Sequence, residues 1–183
     1  MSLRYRLDFE DAVGRRGALR AVWAGRVSYR FEFRSGSSGP IVVDEDDIAA
    51  PRGVHFEVRA EGLWASILCE TPGEHWSFGL EAFGLEYDDE DDASAGGYGN
   101  RLPVGFDLEW EAALGARADA SGVEAALGAR ADASGVGAAL GARADASGEG
   151  TVHGEVLVAS ERIELVGRGT FVVDGKRDGT RKP

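Results

Sequence analysis

HWSFGLEAFGLEY, residues 75–87, is the stretch whose reading decides the fold. Trp76, Phe78 and Leu80 alternate with Ser77, Gly79 and Glu81, a period of two that suits a half-buried antiparallel strand. Phe83, Leu85 and Tyr87 extend the alternation in shifted phase. The shift falls near Gly79 and Gly84, and it predicts a bulge or bend there. The same period recurs outward in both directions. Tyr29, Phe31 and Phe33 alternate with Arg30, Glu32 and Arg34. Val54, Phe56 and Val58 alternate with His55, Glu57 and Arg59, and Phe106, Leu108 and Trp110 with Asp107, Glu109 and Glu111. GLWASILCE (62–70) is more continuously apolar, as a strand covered on both faces would be. Val152, Val156 and Val158, then Ile163 and Leu165, supply further strands.

Reversal chemistry separates these segments. SGSSGP (35–40), PRG (51–53), TPG (71–73), SAGGYGN (94–100) and the Asp174–Gly175 pair all favour turns. Many short strands with frequent reversals and no long amphipathic helix predict an all-β, antiparallel barrel or sandwich. A single β domain over residues 1–175 is expected, followed by a frayed basic tail, 176–183.

That domain is interrupted at 111–149 by three near-identical thirteen-residue units: EAALGARADASGV, EAALGARADASGV and GAALGARADASGE. Thirteen residues at ~100° each turn successive leucines by about 220°, so Leu114, Leu127 and Leu140 would share no apolar stripe on one helix. Each unit carries a Ser-Gly stop near its end, and helices of about ten residues are marginal alone in water. A mobile insertion between two strands, with transient or weakly docked helical turns, is favoured over an ordered helical appendage or a stacked solenoid.

Composition limits the partners. The formal charge of −12 disfavours a nucleic-acid backbone or an anionic membrane surface. No stretch approaches the ~20 apolar residues of a membrane span, and the start lacks a signal-peptide core, so a cytoplasmic location is expected. One cysteine, Cys69, allows no internal disulfide and reads as an inert thiol. The acidic runs 88–92 and 44–47 are contiguous, unlike the alternate ligands of a calcium loop. They read as solvated loop charge that also discourages strand edges from pairing.

Few residues point to chemistry. His55, His75 and His153 are far apart in sequence and offer no local metal spacing, so no metal or other cofactor is expected. His75, beside Trp76 at the start of a strand, is a candidate for ligand contact or proton transfer, with Glu81 as its nearby carboxylate. Glu86 and Glu109 are further carboxylates near aromatics, and a buried one would have a raised pKa. Trp64, Trp76, Phe78, Phe106 and Trp110 read either as core or as the wall of a pocket for an apolar ligand. No nucleophile elbow or phosphate loop is present.

PGEHWSFGLEAFGLEYDD (72–89), LPVGFDLEWE (102–111) and GTVHGEVLVASERIELVGRGT (150–170) together resemble a group of bacterial proteins related to the hydroxyneurosporene synthase (carotenoid hydratase) superfamily. The resemblance covers about a third of the chain. It implies a lipocalin-like, calycin-type fold with an apolar pocket for isoprenoid- or lipid-like molecules. The family pattern continues into Arg-Asp-His-x-Trp-Gly, whereas GRGT (167–170) here leads into FVVDGKRDGTRKP. The motif's histidine and tryptophan are absent, so no catalytic role carries over. The expectation is a catalytically incomplete binder of a hydrophobic small molecule; a homodimer through an exposed strand edge, such as loss of a second domain would leave, stays open. The alternatives are a hydratase or isomerase acting on an isoprenoid-type substrate, and an interaction module with a filled core.

Overall fold

A computed structural model describes residues 2–36, 39–51, 55–113 and 147–176. Ten strands among them form one antiparallel sheet: β1 (Ser2–Asp11), β2 (Arg16–Ala24), β3 (Arg26–Arg34), β4 (Ile41–Ile48), β5 (Phe56–Ala60), β6 (Leu63–Thr71), β7 (His75–Glu86), β8 (Asn100–Ala112), β9 (Ser147–Val158) and β10 (Glu161–Lys176). A short helix, α1 (Glu90–Ala95), lies between β7 and β8. The spatial order is β4-β3-β2-β1-β10-β9-β8-β7-β6-β5. The sheet curls far enough for Ile41 and Val42 of β4 to pair with Glu86 and Leu85 of β7. The result is a partial ring in which β4 and β5 are not hydrogen-bonded to each other.

Alternation puts one face of every strand inside. Leu3, Tyr5, Leu7 and Phe9 point inward from β1, and Val27, Tyr29, Phe31 and Phe33 from β3. Trp76, Phe78, Leu80 and Ala82 do so from β7, and Val104, Phe106, Leu108 and Trp110 from β8. These residues belong to one contiguous core. At roughly 25 cal/mol per Å² of apolar surface, burial on this scale is what holds the curl closed.

Several local expectations are corrected. β7 keeps a single phase, and its pairing with β8 runs unbroken from His75↔Glu111 to Glu86↔Asn100. There is no bulge at Gly79 or Gly84. Phe83 faces outward, with the Arg101 guanidinium 4.5 Å above its ring. Gly79 serves packing instead: a Cβ there would lie 2.8 Å from the Trp64 indole, which rests across it. The irregularity of this hairpin lies between Cys69 and Thr71, beside the reversal at 72–74. The outer face of β6 is half-buried rather than covered.

Asp174–Gly175 is no turn, since β10 continues through it, paired with Arg4 and Leu3. Lys176 still pairs with Ser2, and 177–183 lie outside the described residues. Asp44–Asp47 form part of strand β4, not a loop. The run at 88–92 opens α1: Asp89 accepts a hydrogen bond from the Asp92 N–H, and Glu90, Asp91 and Asp92 fill the first turn, where negative charge suits the helix dipole.

The repeat region joins two adjacent antiparallel strands. β8 runs through Glu111 and Ala112, and β9 begins at Ser147 inside the third unit. The Ala113 N–H donates to the Glu149 carbonyl at 3.0 Å, so the sheet holds both ends together. The expected conformation of the units falls on residues 114–146, outside those described.

Candidate functional site

Two regions gather the residues that the sequence singles out. The first is the interior. Trp76, Phe78 and Trp110 surround Phe171, with ring centroids 4.9, 5.1 and 5.4 Å from it. Phe106 packs on Phe31 at 4.6 Å. These four wall candidates are buried together. Trp64 does not join them. It lies on the opposite face of the sheet, with its indole N–H 3.4 Å from Glu57 on the neighbouring strand.

Near β5 and the start of β7, the interior carries polar groups as well. Tyr5, Ala21 and Tyr29 lie in one register row across β1, β2 and β3. The small Ala21 stands between the two tyrosines. Tyr5 packs edge-on against Phe56 at 5.2 Å and Trp76 at 6.4 Å. The Tyr29 hydroxyl and the Trp76 indole N–H are both buried, and neither has a hydrogen-bond partner among the described residues. Burial pushes the Tyr29 phenol well above its ordinary pKa, so it stays a neutral O–H donor. A buried donor left unsatisfied costs about 1–3 kcal/mol. Two of them in an otherwise apolar interior are an exception that calls for an explanation.

The second region is the outer face of β7, β8 and β9. His75 Nε2 lies 3.0 Å from Glu109 Oε2, and His153 Nε2 lies 3.4 Å from the same oxygen. Donor atoms of His75, Glu109 and Glu111 all fall within 4.8 Å of one another. Register explains the cluster: Glu109 is directly opposite both Ser77 and His153, while His75 is opposite Glu111 and diagonal to Glu109. Ser77 turns its hydroxyl to Glu70 at 2.9 Å, which leaves the Glu109 carboxylate to the two imidazoles.

His75 and Glu81 do not come together. They stand six residues apart on β7, about 20 Å at strand rise, and Glu81 is exposed. Glu109, not Glu81, is the carboxylate at His75. Glu86 is half-buried where β7 meets β4, and His55 is exposed at the start of β5. His153 is the participant that sequence spacing misses, because only strand pairing brings it to Glu109.

Among the described residues, no helix is long and apolar enough to cross a membrane. No family model matches the chain, and no curated protein or solved structure matches it.

Proposed function

We propose that the partial ring is a lipocalin-like barrel that binds a hydrophobic small molecule carrying at least one hydrogen-bond acceptor. The observation that carries this reading is the pair of unsatisfied buried donors, the Tyr29 O–H and the Trp76 N–H. An acceptor on the ligand would satisfy them, and the apolar body would lie against Tyr5, Phe56 and Ala21. Trp76 belongs to both regions of the interior. Phe78, Phe106 and Trp110 form its packed floor, and Trp64, on the outer face, leaves the wall. The resemblance to carotenoid hydratases favours an isoprenoid- or lipid-like ligand. The crowding around Phe171 favours a second reading, an interaction module whose core is filled by its own side chains.

Native mass spectrometry of the folded chain after incubation with a bacterial lipid extract separates the two. A discrete bound mass is expected. Tyr29→Phe keeps the ring and removes only its donor, whereas Trp76→Phe removes its donor together with part of the indole. Tyr29→Phe should weaken binding about tenfold, the equivalent of one hydrogen bond near 1.4 kcal/mol, and Trp76→Phe by at least as much. Without ligand, Tyr29→Phe should be at least as stable as the parent, since it removes an unsatisfied group. No adduct, or one indifferent to both changes, would transfer the reading to the filled core.

A further inference from the structure

The geometry of the outer face points to a binding site for a divalent transition-metal ion, with zinc the best fit, formed by His75, Glu109 and His153 and completed by Glu111. Two neutral imidazoles and a carboxylate are the mixed nitrogen and oxygen set that zinc prefers, whereas calcium and magnesium favour oxygen ligands alone. Donors bonded to tetrahedral zinc at about 2.0–2.1 Å must stand about 3.3 Å from one another. The two imidazole–carboxylate separations, 3.0 and 3.4 Å, bracket that spacing. Both imidazoles thus already stand at coordination spacing from the Glu109 carboxylate, and His75, Glu109 and Glu111 lie within 4.8 Å of one another; His153 is outside that tighter group and would be drawn toward it by the ion.

The backbone supports this arrangement. Three adjacent strands supply the donors, and strand pairing fixes their Cβ positions more firmly than a loop would. Beside them is a depression lined by Asp107, Glu109, His153, Gly154, Glu155 and Arg162. Its floor requires glycine: Gly154 has φ +139°, and a Cβ there would strike the Asp107 carbonyl. The depression reaches the cluster through Glu109 and His153. Asp107, Glu109, Glu111 and Glu155 outnumber Arg162, which is itself paired with Glu155 at 3.2 Å. The local field thus attracts a cation.

The test is titration of the untagged, metal-stripped full chain with Zn²⁺ against a chromophoric chelator. One ion per chain is expected. His75→Ala, His153→Ala and Glu109→Gln should each weaken it at least tenfold, and His55→Ala should not. Co²⁺ in place of Zn²⁺ should give the intense visible absorption of a four-coordinate ion. The substitutions lie on an exposed face, so the far-UV β spectrum should persist. If an alanine variant loses that spectrum, His75→Gln or His153→Gln replaces it in the comparison. Absence of saturable binding by the folded chain, or equal affinity in the His75/His153 double variant, overturns the site.

Discussion

Asp11 shows how one side chain can organise a reversal. It is buried at the end of β1, and its Oδ1 accepts hydrogen bonds from the backbone N–H groups of Val13 and Arg15, at 3.0 and 2.9 Å. Arg15 pairs with the same carboxylate and reaches on to the Glu164 carbonyl at 2.8 Å, tying the β1–β2 turn to β10. Burial pushes the Asp11 carboxyl up. The hydrogen bonds from Arg15 and Val13, with the Arg15 charge, outweigh that and hold its pKa below the ordinary 3.8. A carboxylate depressed on folding stabilises above its unfolded pKa, and that contribution is lost as pH falls through 3.8 and below. Asp11→Asn should therefore cost about 1–3 kcal/mol at pH 7. In denaturant titrations from pH 7 to 2.5, the gap between variant and parent should close toward the acid end. A gap independent of pH would mean that the charge on Asp11 is not what matters. Legibility at this scale was uneven. Strict alternation identified Trp76, Phe78, Phe106 and Trp110 as one inward set. In GLWASILCE both phases are apolar, so the pattern alone could not assign Trp64 to a face. Which histidines meet depends on strand pairing, which no local spacing encodes.

At the scale of elements, the acidic run of β4 has a place in the architecture. After Val42 the outer edge of β4 has no strand partner among the described residues, and Asp44–Asp47 lie on that stretch. The register with β3 slips between Val27 and Tyr29, where Asp46 and Asp47 oppose Ser28 alone, and Asp47 takes φ +62°. Bulges and charge both protect an open edge against pairing with another chain. The run was legible as edge protection but not as a strand, because aspartate is a poor strand former chosen here for what it prevents. Replacing Asp44, Asp46 and Asp47 by Asn should raise the average mass in light scattering above that of the parent at equal concentration. An unchanged mass would show that the bulge alone is sufficient. The Asp174–Gly175 pair was misread for a related reason: turn chemistry is a local preference, and ten consecutive β1–β10 pairs override it.

The whole molecule is simpler than its chain order suggests. Every strand pairs with its neighbour in sequence except β4 with β5, and β10 returns to pair with β1. An all-β antiparallel sheet was legible from period and turns. Its curl was not, because curvature comes from twist summed over strands and from the β4–β7 contact, neither of which leaves a local mark. One consequence concerns connectivity. Ser2 lies opposite Lys176, so a short linker could join those two points, and the chain could be cut anew between Ile48 and Phe56. The circular permutant would run β5 to β10 and then β1 to β4, an uninterrupted meander in which the most distant pairing has become a local one. Its contact order would fall, and stopped-flow tryptophan fluorescence should show it refolding faster than the parent. Slower refolding would mean that the β10–β1 seam forms early despite its distance. The same sheet thus allows more than one order of its strands along the chain, and the unpaired β4–β5 step is where the circle is open to a new cut.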